Sequence, residues 1–278
     1  MMKDKYIKDL SVSQEEFVLK YDSKYDCYKT EFTHWERLGA YYKSENYISH
    51  TDGNRNWFEK IYQFVKKYTI RKKWQLIKKL QTNSRLKVLD IGCGTGDFLK
   101  YAKDSGMLVQ GIEPDESARN LCEQKGIAVS KSLHEITEGE FNVITLWHVL
   151  EHVKDPNVYF EFFKEKLAVN GTLLIAVPNF RSYDAQYYKE YWAAWDVPRH
   201  LWHFSKKTMK KLGTEHGFDL MHIKPMYFDS FYVSLLSESY KNGSKNILKA
   251  FYIGLKSNWK GNRTKEHSSH IYIFKKSF

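Results

Sequence analysis

The chain has 278 residues, 42% hydrophobic and 28% charged, which suits one or two packed domains and excludes disordered, collagenous and proline-rich classes. No apolar run approaches the roughly 18 residues of a membrane span, and the opening MMKDKYIKDL lacks an apolar heart, so no leader is expected and the cytoplasm is the expected location. The net charge of +11 is uneven: 17 basic against 11 acidic residues over 1–84, 10 against 14 over 85–180, and 17 against 8 over 181–278. Two basic flanks favour anionic partners, or are simply solvated lysines.

Residues 1–84 read as an N-terminal arm and a basic helix, and residues 85–278 as a second domain. Cys27, Cys93 and Cys122 form no CxxC pair, so neither a disulfide framework nor a metal site is expected. Over 56–80, Trp57, Ile61, Phe64, Val65, Tyr68, Trp74, Ile77 and Leu80 recur at helical spacing among many lysines, which predicts an amphipathic helix. A second basic, aromatic helical stretch covers 231–260. Both are read as helices docked with their lysines in solvent, or as a peripheral contact with an anionic membrane. From residue 87, short apolar runs at 87–91, 109–112, 128–130, 141–147 and 172–177 alternate with helical stretches at 98–104, 116–125 and 157–167, with a turn at Asn170-Gly171. That alternation predicts an α/β fold with a doubly wound, mostly parallel sheet. Residues 218–224 and 270–275 are the candidates for its last two strands.

The strongest motif is VLDIGCGTGDFL over 88–99: a buried strand, Asp90, then Gly92, Gly94 and Gly96 opening a helix. Glycine permits a tight turn and close backbone approach to a ligand, at the carboxyl end of a strand where such sheets bind. The spacing is GxGxG, and Asp97 stands where a dinucleotide fold places its third glycine, so a ligand without phosphates is favoured. Glu113 ends the second strand 19 residues beyond Gly94, near the spacing at which an acid holds ribose hydroxyls.

With GIEPDESA, FNVITLWHVLEHVKDP and LAVNGTLLIAVPN, this motif resembles those of class I S-adenosylmethionine-dependent methyltransferases, in the small-molecule group that includes ubiquinone-biosynthesis and sugar enzymes. The resemblance is strong over 85–180 and weak over 198–278. It implies a Rossmann-like methyltransferase fold of seven strands; outside the resemblance, the arm and basic helix of 1–84 are read as a helical N-terminal lid and 231–260 as a helical insertion before the last strand. The resemblance implies S-adenosyl-L-methionine as cofactor, with Asp90, Gly92, Cys93, Gly94 and Gly96 at its methionine end, Glu113 on its ribose, and Pro114, Ser132 and Leu133 around its adenine. This chain lacks the acid that many relatives carry at the adenine.

Methyl transfer by displacement needs alignment more than covalent help. Trp147, just past the fourth strand, is placed to present its ring to the sulfonium, and His148 is the nearest candidate base. His148-Val149-Leu150-Glu151-His152 also matches the inverted zinc-protease motif HxxEH, but it follows a buried strand and matches the family's fourth motif, so no zinc is expected. The segment WAAWDVPRHLWHF (192–204) is read as a wall of the acceptor pocket, with Arg199 for an acceptor carboxylate or phosphate, Trp195 beside it, and His200 or His203 as base. Tyr42, Tyr47 and His50 are expected to face the site from the arm.

The leading expectation is therefore a methyltransferase acting on oxygen or carbon of a small acceptor: a sugar, a quinone-like ring or a lipid-linked molecule. An RNA methyltransferase using the basic flanks and a non-catalytic cofactor-binding relative are the alternatives. Against nucleic acid as partner, Thr145-Leu146-Trp147-His148 replaces the Asn/Asp-Pro-Pro-aromatic motif of base amino-methylating enzymes.

Overall fold

The structure, a computed structural model, describes residues 2–42, 57–81, 85–137 and 139–277, without the side chains of 57–62. Tyr47 and His50 lie outside the described residues. Two compact units divide the chain: Met1–Tyr47, His148–Asn157 and Ile175–Ile273 form one, and Ile48–Trp147, Val158–Leu174 and Phe274–Phe278 the other.

Three short strands open the chain: β1 (Lys5–Lys8), β2 (Glu16–Asp22) and β3 (Cys27–Thr30). They pair antiparallel and are extended by β9 (Trp202–His203), in the order β1-β2-β3-β9. The sequence reading does not foresee this sheet, although EFVLKYD alternates at period two before a D-S-K-Y-D turn. Phe17, Leu19 and Tyr28 turn inward to a core with Phe180, Trp192 and Trp195.

A helix, α1 (Trp57–Leu80), then precedes the alternating elements β4 (Lys87–Ile91), α2 (Asp97–Asp104), β5 (Leu108–Ile112), α3 (Glu116–Gln124), β6 (Ala128–Ser130), β7 (Phe141–Trp147), α4 (Pro156–Lys166) and β8 (Leu167–Pro178). After α5 (Tyr183–Tyr188) and α6 (Lys206–Glu215) come β10 (Phe218–Pro225), the helical insertion α7 (Asp229–Asn242) and α8 (Ile247–Thr264), and β11 (Ser269–Lys276). Seven strands form one mostly parallel sheet in the order β10-β11-β8-β7-β4-β5-β6. The chain winds outward from β4 through β5 to β6, then restarts on its other side with β7. That reversal is where doubly wound sheets open a crevice at their carboxyl ends.

Composition explains the strands. Val88, Leu89, Val143, Ile144 and Leu146 are fully buried, as a strand covered on both faces requires. Residues 170 and 171 form no turn: β8 runs unbroken through them. Asp115 caps α3 by accepting the Ala118 N–H at 2.8 Å.

In the unit that holds the N-terminal sheet, Asp184 is fully buried and accepts from Trp192 Nε1 (2.8 Å), Ser257 Oγ (2.5 Å) and Ser268 Oγ (2.7 Å). One carboxylate thus ties α5, the 192 loop, α8 and the start of β11 together. Three neutral donors satisfy it.

Candidate functional site

The glycine turn lies at the carboxyl end of β4. Gly92, Gly94 and Gly96 all have φ between 54° and 77°, where other residues are strained. A Cβ on Gly94 would meet nothing within 4 Å, so open space lies beside the backbone there; a Cβ on Gly96 would strike Cys122 Sγ at 2.8 Å. Glu113, at the end of β5, is nearly buried. Its carboxylate accepts the Gly94 N–H at 2.8 Å and the Asp115 N–H at 3.0 Å. Those two bonds occupy only part of the roughly four lone-pair positions of a carboxylate, so hydroxyl donors still have somewhere to bind.

Asp90 pairs in register with Gly111 on one side and Thr145 on the other. Thr145 Oγ1 donates to its Oδ1 at 2.5 Å. Burial lifts its pKa to about 7, against the opposing pull of Thr145 and Lys73. Cys93 is buried beside Cys122, 3.9 Å sulfur to sulfur, and burial pushes its thiol well up, so it is no nucleophile. Ser132 and Leu133 are half-buried after β6, and Pro114 is exposed.

Asp97 is not the bare acid that the motif suggests. Lys66 Nζ of α1 reaches one of its oxygens at 2.5 Å and Lys125 Nζ the other at 2.6 Å. Lysines also alter the reading of Trp147: the Nζ of Lys73 sits 4.2 Å from its ring centroid, so the ring already has a cation over it. The indole Nε1 is buried without a hydrogen-bond partner among the described residues.

In the other unit, His148 directly follows β7 with φ 60°, a left-handed conformation that costs a β-carbon residue of order 1–3 kcal/mol. Its Nε2 is 3.0 Å from Asp229 Oδ2 at the start of α7, and its Nδ1 is 3.4 Å from Glu151 Oε1. Burial opposes its charge, but Asp229 and Glu151 outweigh burial and hold the pKa up to about 10. Glu151 is pushed up by burial and pulled further down by His148, so it stays ionised. His148 at neutral pH is therefore an imidazolium between two carboxylates.

Glu151, His152 and His200 bring ligand-type atoms within 4.8 Å of one another. Glu151 Oε1 lies 3.4 Å from His148 Nδ1, and neither of its buried carboxylate oxygens has a hydrogen-bond partner among the described residues. His152 is pushed down to about 4 by burial and by His200, so it is neutral, with Nδ1 3.1 Å from both Tyr42 Oη and the Arg199 carbonyl. His200 Nδ1 faces the Ala194 carbonyl at 2.9 Å.

Other expected contacts are already engaged. Arg199 is fully buried, and its guanidinium donates to Asp9 (3.0 Å), Asp196 (2.7 Å), the Tyr41 carbonyl (3.0 Å) and Ser11. It is an ion-pair centre rather than a hand for an anionic acceptor. Trp195 is packed among Tyr28, Phe180, Trp192 and His203, and its Nε1 donates to the Lys189 carbonyl. His203, buried and pushed well down by burial, shares a 3.0 Å hydrogen bond with Thr30 Oγ1, so it serves the β3–β9 seam rather than proton transfer. The sequence reading misses Asp229, Lys73 and Thr145. Thr145 was readable as a polar residue inside a buried strand. No spacing rule links Asp229 to His148, or Lys73 to Trp147.

A family model described as a methyltransferase domain matches residues 60–223, more than half of the chain. Two relatives, each named ubiquinone biosynthesis O-methyltransferase, come from Actinobacillus pleuropneumoniae serotype 5b (strain L20) and Glaesserella parasuis serovar 5 (strain SH0165). The first is 32% identical over 107 residues, 34% of this chain and 46% of its own length. The second is 35% identical over 108 residues, 34% of this chain and 45% of its own length. The chain thus matches less than half the length of either relative. Among solved structures, magnesium protoporphyrin IX methyltransferase from Synechocystis PCC 6803, with bound SAH, has a TM-score of 0.53 and 14% identity, covering 87% of this chain and 94% of that one. A SAM dependent methyltransferase from Archaeoglobus fulgidus has a TM-score of 0.51 and 22% identity, covering 76% of this chain and 94% of that one. At these identities the likeness is one of fold.

Proposed function

The chain belongs to the methyltransferase-domain family, whose methyl donor is S-adenosylmethionine, and from that premise we propose that it methylates an oxygen or carbon of a small acceptor: a sugar, a quinone-like ring or a lipid-linked molecule. The observation that carries this is Glu113, a nearly buried carboxylate fastened to the glycine turn at the crevice end of the sheet with acceptor capacity to spare. The residues present fit the donor. Glu113 would take the ribose hydroxyls, the open side of Gly94 would admit the methionine portion, and Asp90 stands behind the turn with its carboxyl held by Thr145. When bound, the donor supplies a methyl group on a sulfonium, which an in-line nucleophile can displace.

The protein's own part is binding, alignment and proton handling. For an acceptor hydroxyl, His148 is the group proposed to take the proton. Its strained backbone and its anchors on Asp229 and Glu151 fix the ring's direction. The shared naming of the relatives supports oxygen methylation. Arg199, consumed by Asp9 and Asp196, is left with no part in holding an anionic acceptor.

Calorimetric titration with S-adenosylmethionine tests the donor site. Glu113→Ala should weaken binding about ten- to a hundredfold, the value of one or two charged hydrogen bonds. Glu113→Gln, which keeps an acceptor oxygen, should lose less. Equal affinity in all three proteins would remove the ribose assignment.

A further inference from the structure

We propose that α8 is a membrane-docking helix that lays an apolar stripe onto an anionic phospholipid surface. Its buried face is made of small residues and one isoleucine: Ala250, Ile253, Gly254, Ser257 and Gly261. Small residues let α8 lie tightly on its neighbours; a Cβ on Gly254 would stand 2.6 Å from the Phe231 ring of α7. At about 100° per residue, the opposite side of the helix collects Leu248, Phe251, Tyr252, Leu255 and Trp259 within roughly a third of its circumference. All five are exposed. Leu248 is 85% exposed, Phe251 56%, Tyr252 58%, Leu255 48% and Trp259 51%. Single exposed apolar side chains are ordinary, but five in one continuous stripe mark an interaction surface.

Charge decides what covers the stripe. Along one edge run Lys256, Lys260 and Arg263, with Lys249 beside them but paired at 3.4 Å to the buried Glu238 of α7, and α8 itself carries no acid. Basic stems flank the rings: Arg263 lies 4.0 Å from the Trp259 ring centroid, and Lys256 5.6 Å from that of Tyr252. Lys256, Lys260 and Arg263 still leave this edge net positive, which repels a second copy of the same edge. A phosphate-bearing interface suits it: aromatic and aliphatic groups enter the headgroup boundary while lysines reach back to the phosphates. Among the described residues no helix is long and apolar enough to cross a membrane, so the contact would lie in the interface plane. This surface goes beyond the methyl-transfer reading and does not depend on it.

Co-sedimentation of the full chain with vesicles, without cofactor, is the test. With phosphatidylcholine containing about a third phosphatidylglycerol, most of the protein should pellet, and at least tenfold less with phosphatidylcholine alone. High salt should reduce the anionic binding. Leu248→Ser with Phe251→Ser, and separately Lys256→Glu with Lys260→Glu, should each cut partitioning about tenfold or more while circular dichroism and S-adenosylmethionine affinity stay unchanged. Equal recovery with both vesicle types, or no recovery with either, would overturn the proposal. So would light scattering that shows a dimer dissociated by Leu248→Ser with Phe251→Ser, because the stripe would then be covered by a second copy. Loss of cofactor binding with vesicle binding intact would count against the donor site alone.

Discussion

His148 carries two consequences at the scale of one side chain. A base must be unprotonated to act, yet Asp229 and Glu151 hold this imidazole charged up to about pH 10. The reactive form is thus a small fraction at pH 7 and grows about tenfold per pH unit. Methyl transfer to a hydroxyl acceptor should accordingly climb from pH 7 to 9, and Asp229→Asn should shift that rise to lower pH. A flat profile over this interval would leave His148 as a fixed cation with no part in proton transfer. The residue type at 148 was legible from its place after the fourth strand; its protonation state was not, because Asp229 arrives from a distant helix. Glu113 was legible for the opposite reason, since its partner Gly94 lies one strand–helix–strand unit away at a fixed spacing.

α1 shows how far an element's role can depart from its pattern. Its existence follows from periodicity, and Trp74 and Ile77 are buried as expected. Yet Phe64 and Tyr68 of the same stripe stand exposed, at 71% and 40%, while lysines from this helix make the specific contacts. Lys66 neutralises Asp97, and Lys73 lies on Trp147 and helps pull the pKa of Asp90 down. On the proposed donor site, the Trp147 ring would be shared between a resident ammonium and the cationic donor. Lys73→Met should therefore tighten S-adenosylmethionine binding by about 1 kcal/mol, roughly fivefold, and leave the affinity for its neutral demethylated product nearly unchanged. Parallel calorimetry with the two ligands checks it; equal gains for both would mean that the substitution acts through packing. Hydrophobic patterning cannot announce such a contact, because a lysine on a helix reads as solvated.

For the whole molecule, the parallel sheet was written in runs such as VLDI and FNVITLW, and the helical insertion α7–α8 in its own composition. The antiparallel sheet of β1–β3 was missed because its strands are short and polar on one face, and because β9 is supplied from a segment far along the chain. Arg199 binds that N-terminal region to the 192–204 loop. Its buried pair with Asp9 draws the Asp9 carboxyl down to about 2 from an ordinary 3.8, against the cost of burial. The unfolded chain takes up this proton first as pH falls, so the linked stability, about 2 kcal/mol, is complete above pH 4 and disappears between pH 4 and 2. Arg199→Met would strand Asp9 and cost about 3–5 kcal/mol in denaturant unfolding near pH 7, with a smaller loss near pH 3. A variant as stable as the parent would show the pair to be dispensable.

The Asp184 knot has a bearing on α8 beyond stability. Ser257, on the packed side of that helix, is one of its three donors. Rolling α8 about its axis to shelter Leu248 would carry Ser257 outward and leave a carboxylate in a dry interior short of a partner. The greasy ridge is therefore bolted in place, an always-open face rather than a flap that unfurls on demand. Such a protein cannot hide its adhesive side in storage, so recovery from an overexpressing cell should improve when mild detergent is present from the moment of lysis.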